Sequence, residues 1–342
     1  LGIDAGEPQS LKWLIALKRP ILALLIGIGS AQAIAAPSPI VIVTGPVAGF
    51  AFPLGGEICR LYDEAAADKA RCLVSPSNGS VDDIDRLRAG EVGLAIVQSD
   101  IATDAVHGTG VFTGKPPFAD LRSITGFYTN ALTLLVRRDG PVKQTDDLKG
   151  KRIAVGEIGA SDPLFNDFMD SMGWTKADLA IEEMPRGEQI AALCNGKIAA
   201  IAVTAPHPNG FVREALSTCP VQALDIPVPI VDNAVSAYPA YAPVHVDMGM
   251  YGGQAYSIDS FGPRAVMVTT VKLDREIATR LLTGLFGHID ALDKAHPAFA
   301  GLDKAALGLG SGLGAERHPA AEKYLTDNKI DEAPKADAPT GE

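Results

Sequence analysis

Ile40-Val41-Ile42-Val43-Thr44-Gly45-Pro46-Val47-Ala48-Gly49-Phe50-Ala51-Phe52-Pro53-Leu54 is the stretch whose reading decides the fold. Four apolar residues end at Thr44-Gly45 and read as a strand buried on both faces. The glycine-rich turn Gly45 to Gly49 opens a helix through Pro53, with Leu54, Ile58, Leu61 and Tyr62 recurring on one face. Residues 71–74 read as a second strand. Ser80-Val81-Asp82-Asp83 resembles a capping-box helix start, with Val81, Ile84 and Leu87 inward and Gly90 as the stop. Leu94-Ala95-Ile96-Val97 is a third buried strand. Strand, helix, strand, helix, strand implies a mainly parallel sheet covered by helices on both faces.

The same grammar returns further on. Ile84, Leu87, Gly90 and Val92 correspond to Ile190, Leu193, Gly196 and Ile198, each 106 positions later, and residues 94–97 correspond to 200–203 at the same offset. Upstream, Arg152-Ile153-Ala154-Val155-Gly156 repeats the strand-then-glycine of Val43 to Gly45, and a helix is expected from Pro163 to Met172. Two matches in register at one offset predict two lobes of similar build. The alike runs at 132–137 and 265–270 are expected strands suited to carrying the chain between lobes. Residues 272–296 read as one long amphipathic helix, with Ile277, Leu281, Leu282, Leu285, Ile289 and Leu292 on one side.

The 342 residues suit two domains of ordinary size, and the 47% apolar and 21% charged content is that of a globular chain. Lys12, Lys18 and Arg19 precede the apolar run 21–28, followed by small residues at A-x-A spacing through Ala36. This predicts a cleaved secretory signal over 1–36 and a periplasmic protein. Eight helical residues span only about 12 Å, too short for a membrane anchor. Residues 1–36 carry three basic and two acidic side chains, so the net charge of −11 becomes −12 beyond them. Such acidity argues against nucleic-acid binding, while leaving a small anionic ligand possible in a cleft that sets its own local field. Residues after Ile330 are Pro-, Ala- and Asp-rich and read as a flexible tail over 331–342.

Four cysteines in a secreted chain read as two disulfides. Three pairings exist; sequence proximity favours Cys59–Cys72 and Cys194–Cys219, one in each lobe, each contributing about 3 kcal/mol in the chain-entropy model. Tighter C-x-x-C spacing, as a metal site would use, is absent, and no metal or cofactor is expected. The sequence holds no G-x-S-x-G, H-E-x-x-H or Walker motif. His288 and His296 read as surface histidines, and Gly308 to Gly314, which follows no strand, as a flexible loop.

Ligands in open α/β sheets bind at the carboxyl ends of the strands. Five loops stand there: Thr44 to Phe52, Ser77 to Ser80 and Gln98 to Asp100 in lobe one, then Gly156 to Asp162 and Pro206 to Asn209 in lobe two. Each puts a hydroxyl, amide or imidazole before a helix, whose N-terminal N–H groups suit a carboxylate. Plain N-capping by Ser80, Ser99 and Ser161 is the competing reading for each loop taken alone. The ligand-binding set expected is Thr44, Gly45, Gly49, Phe50, Phe52, Asn78, Ser80, Gln98, Asp100, Tyr128, Ser161, Asp162, His207 and Asn209.

The sequence resembles the TAXI family of TRAP-transporter solute receptors. The resemblance rests on Thr44-Gly45-Pro46-Val47-Ala48-Gly49, Pro53-Leu54-Gly55-Gly56, Ser77-Asn78-Gly79-Ser80-Val81, Gln98-Ser99-Asp100 and Asp147-Leu148-Lys149-Gly150-Lys151. It continues through His207-Pro208-Asn209-Gly210, Gly249-Met250-Tyr251 with Gly253-Gln254, and His318-Pro319-Ala320-Ala321-Glu322-Lys323-Tyr324. It implies a type II periplasmic-binding-protein fold: two α/β lobes with mainly parallel sheets and a ligand cleft between them. Their expected extents are 37–127 plus about 263–330 for lobe one and 128–262 for lobe two. It further implies a monomeric, non-enzymatic receptor that captures a small carboxylate, glutamate-like or a related organic acid, for TRAP-type membrane permease subunits. Two departures bear on the ligand. Ala51 and Phe52 stand where the family usually has two tyrosines, which points to a less polar ligand, and Asp162 would repel an anion unless it meets a ligand ammonium. The alternatives are an enzyme on the same fold, for which Asp100, Asp162 and His207 would supply acid or base, and a binding protein for an ATP-driven importer or sensor kinase.

Overall fold

The computed structural model describes residues 39–65, 71–156, 162–252, 254–299 and 302–330. The expected signal, the tail and Ser161 lie outside the described residues. The strands are β1 (Ile40–Val43), β2 (Cys72–Ser75), β3 (Leu94–Gln98), β4 (Leu121–Thr129), β5 (Ala131–Arg137), β6 (Arg152–Val155), β7 (Ala180–Glu182), β8 (Ala200–Ala205), β9 (Val221–Ala223), β10 (Tyr241–Val246) and β11 (Ile258–Thr270). The helices are α1 (Ala51–Ala65), α2 (Ser80–Arg88), α3 (Ser99–His107), α4 (Pro163–Ser171), α5 (Arg186–Cys194), α6 (Gly210–Thr218), α7 (Val228–Ala237), α8 (Arg275–Gly287), α9 (Ile289–Ala295), α10 (Lys304–Gly308) and α11 (Pro319–Asp327).

Two sheets form. The first runs β10-β11-β3-β1-β2 with β4 also on β11, and the second runs β7-β6-β8-β5-β9. Each has a parallel core, β2-β1-β3 and β7-β6-β8, as the βαβ grammar requires. Antiparallel strands flank these cores: β11 on β3, and β5 on β8. Their apolar runs resemble those of the parallel strands, so sequence alone did not separate the two directions.

Alternation along the strands splits each core into two faces. Ile42 joins Leu54, Ile58 and Ile96 under α1 and α8, whereas Val43 joins Ile84, Leu87 and Val97 under α2. In the second sheet Leu134 packs with Phe165 and Phe168, and Leu135 with Ile190, Leu193 and Val212. The internal repeat is structural. α2 and α5 begin at 80 and 186, β3 and β8 at 94 and 200, and Gly90 and Gly196 turn the chain with φ of 74° and 72°. Both expected disulfides form, with Cα separations of 4.9 Å for Cys59–Cys72 and 6.0 Å for Cys194–Cys219.

Several local expectations are corrected. Ser80 is the first helical residue of α2, not its cap; Gly79 takes that position and no side chain caps it. The helix therefore turns so that Asp83, 0% exposed, lies inward beside Ile84 and Leu87, while Val81 is 37% exposed. The expected long helix over 272–296 breaks at His288, which leaves helical geometry with φ −130° and ψ 34° after Gly287. His296 is not a plain surface residue, because it packs against Phe50 and Phe299 at ring separations of 5.5 and 5.2 Å. The glycine run near 308–314 is a close-packed strap. A Cβ on Gly314 would lie 2.1 Å from the Ser99 carbonyl oxygen, and Gly312 sits against the Arg264 side chain.

The chain passes between the sheets at two neighbouring places. Asn130 joins β4 to β5, and β11 pairs with β10 up to Pro263 before pairing with β3 from Ala265. The passages touch: a Cβ on Gly262 would come within 2.0 Å of the Asn130 carbonyl oxygen. Glycine is the residue that fits there.

Candidate functional site

The carboxyl ends of β1, β2 and β3 lie on one edge of the first sheet, and Thr129 at the end of β4 pairs with Arg264 beside them. In the second sheet the carboxyl end of β8 pairs with the start of β5, Ala205 opposite Ala131. Since only Asn130 separates β4 from β5, the two loop-bearing edges meet at the crossing strands. This is the geometry of a cleft between two sheets.

On the lobe-one edge, Ser77 knots two loops. Its hydroxyl oxygen accepts from the Gly45 N–H at 2.9 Å and the Gly79 N–H at 3.1 Å, while the Ser77 N–H donates to the Gly45 carbonyl. Gly45 has φ 78°, a left-handed turn that favours glycine. Thr44 is buried, and its hydroxyl has no hydrogen-bond partner. Gly49 closes a turn on Pro46, and the Asn78 N–H donates to Asp82. The Ser80 hydroxyl accepts from the Gln98 N–H at 3.1 Å, joining the second loop to the third. Phe50 meets Tyr128 edge-on at 6.3 Å, and Tyr128 stacks on Phe299, forming an aromatic wall. Burial pushes the Tyr128 phenol well above the usual tyrosine range. Phe52 lies half-buried in the first turn of α1.

The lobe-two residues are more fully engaged. Asp162 caps α4 by accepting from the Phe165 N–H at 3.0 Å, and Asn209 caps α6 by accepting from Phe211 and Val212. Among its ring contacts, His207 Nδ1 lies 2.6 Å from the Tyr251 hydroxyl and Nε2 lies 2.9 Å from the Thr133 hydroxyl. Tyr251 also accepts from the Asn209 N–H at 2.7 Å. Burial pushes the His207 pKa down to about 4, so the ring is neutral at pH 7 and serves to brace the loop.

Sequence reasoning named Asp100 and Asp162 but missed Asp167, with which they make an acidic face around Tyr241. Asp100 at the start of α3 is pushed up to about 6, first by burial and then by the charges of Asp104 and Asp167. Burial also raises Asp162 and Asp167. Tyr241 donates to Asp167, and Asp100, Asp162 and Asp167 together raise its pKa after burial has done so. Gln189 was missed as well: 1% exposed, it donates to the carbonyls of Gly156 and Met184 and holds the first lobe-two loop. It stands 106 positions after Asp83, so the repeat was the available signal. Tyr251 was quoted in a motif without a role. A groove of about 950 Å³ lined by α3, Tyr241 and residues 310–316 contains none of the sequence-chosen residues. Among the described residues no metal-binding cluster of His, Cys, Asp and Glu occurs.

A family model described as NMT1-like family matches residues 42–328. The chain belongs to the NMT1-like family. This NMT1-like chain also resembles solved structures. The periplasmic sulfonate-binding protein SsuA from Methylobacillus flagellatus superposes with a TM-score of 0.53 at 12% identity, over 88% of this chain and 98% of that one. The periplasmic aliphatic sulphonate binding protein SsuA from Escherichia coli matches at TM-score 0.47 and 13% identity, covering 85% and 83%. A TctC solute binding protein from Polaromonas matches at 0.48 and 18%, covering 76% and 89%. The Methylobacillus likeness establishes the two-lobed α/β periplasmic-binding-protein fold for this NMT1-like protein.

Proposed function

We propose that this protein is an extracytoplasmic solute receptor of the TAXI type. It captures a small carboxylate between lobe one (37–127 with about 263–330) and lobe two (128–262) and delivers it to a TRAP-type permease. The carrying observation is an asymmetry of helix ends: α2 and α3 begin without a side-chain cap, whereas α4 and α6 are capped by Asp162 and Asn209. At α3 the Asp100 carboxylate itself accepts from the Ile101 N–H at 2.8 Å. The first turn of α2, with the partial positive charge of its helix, is therefore the end that suits a ligand carboxylate at the lobe-one edge. Arg137 and Arg138 stand at the far end of β5 and engage Asp139 and Val221, so neither is placed to clamp it. The acidic face beginning at Asp100 favours, within this class, a ligand that also carries an ammonium group.

Calorimetry against a panel of small carboxylates, with and without an α-amino group, tests the reading. Ser80→Ala is expected to weaken binding by about 1–2 kcal/mol, the loss of one hydrogen bond to a charged group. A panel in which no carboxylate binds overturns the ligand class. Uptake in membranes containing the permease, dependent on added receptor, tests the transport partner.

A further inference from the structure

The Ser99 hydroxyl lies where three segments meet. Ser99 is 0% exposed, opens α3 and directly follows Gln98. Its hydroxyl donates to the Ala240 carbonyl at 2.6 Å and accepts from the Arg264 N–H at 2.8 Å. Ala240 leads into β10. Arg264 stands between the last β10–β11 pair, Tyr241 with Pro263, and the first β11–β3 pair, Ala265 with Gln98. Neither bond serves α3 itself, whose cap position is Gln98, so N-capping does not account for this serine. The Ser99 carbonyl accepts from the Thr103 hydroxyl at 2.9 Å and is closely approached by Gly314.

We propose that Ser99 is a positioning residue, a clip that ties the ligand-facing start of α3 to the strands crossing between the lobes, so that the placement of Gln98–Asp100 and the inter-lobe angle are set together. Swinging lobe two relative to α3 moves Ala240 away from Arg264, which stays beside β3, and the one hydroxyl bonded to both resists their separation. Both bonds are buried, so water does not replace them when they stretch. The proposal rests on the two-lobed reading and not on the ligand class.

The ligand-free protein therefore provides the test. Hydrogen exchange reads the Arg264 amide, and distances between spin labels at exposed Glu214 and Lys323 read the inter-lobe angle. Ser99→Ala is expected to speed exchange at Arg264 about tenfold, the effect of losing roughly 1.4 kcal/mol of protection, and to broaden the distance distribution. Thr103→Ala, which leaves both clip bonds intact, is the control and should match wild type. If Ser99→Ala does not fold, Ser99→Cys, with its weaker donor, gives a graded version of the same readouts. Wild-type exchange and wild-type distances in the serine variant overturn the clip, as does equal broadening in Thr103→Ala. A failed carboxylate panel leaves this outcome untouched.

Discussion

Asp83 and Arg264 are both buried charges, and their surroundings give them opposite roles. Neither Asp83 oxygen has a hydrogen-bond partner within normal geometry, and burial raises its pKa to about 6 against the opposing effect of nearby Ser77. The folded state therefore holds the carboxylate at a penalty that is absent below about pH 4, grows through pH 6 and is constant above. Asp83→Asn is expected to stabilise the protein at pH 7.5 by up to about 3 kcal/mol and to give no gain near pH 4; urea denaturation at both pH values checks this. Arg264, 2% exposed, donates to the carbonyls of Ala306 and Ser311 at 2.7 and 2.9 Å and, at longer range, to those of Leu309 and Phe127. Burial lowers its pKa only to about 10, so it stays charged at neutral pH. Arg264→Met strands those carbonyls and is expected to lower stability by about 3 kcal/mol in the same assay.

At the level of elements, the crossing strands and the second disulfide are the vulnerable joints. Gly262→Ala pushes a methyl group into the Asn130 carbonyl. Main chain gives way less readily than a side-chain tip, so the melting temperature should fall by more than for a typical surface substitution. Cys194–Cys219 ties the end of α5 to the end of α6 across a separation of 25 residues. Replacing both cysteines by alanine is expected to cost about 3 kcal/mol, read as a shift in the denaturation midpoint. Element existence was legible because the apolar runs and glycine stops are strong local signals, as at Gly90 and Gly196. The break at His288 was not, because Ile289 and Leu292 continue the apolar stripe across it.

The whole molecule adds a pH response that no single lobe carries. Burial raises both Asp100 and Asp167; the charges of Asp104 and Asp167 add to the rise at Asp100, and those of Asp170 and Asp104 to the rise at Asp167. Closure that keeps these carboxylates buried is expected to take up protons, with a penalty absent below about pH 4 that grows to about pH 6 and is constant above it. Small-angle scattering of the ligand-free protein should give a smaller radius of gyration at pH 5 than at pH 8, and Asp100→Asn should remove much of the difference. The sequence by itself determined the two βαβ cores, their repeat, the cysteine pairs and the loops at the strand ends, because each follows from periodicity or spacing within short stretches. Only the tertiary structure decided that His207 is neutral and braced by Tyr251 and Thr133, that the glycines near 314 pack on Ser99, and that carboxylates from α3 and α4 confront one another. These depend on which distant residues become neighbours, and a charge or hydroxyl takes its role from the partners and the burial that folding brings to it.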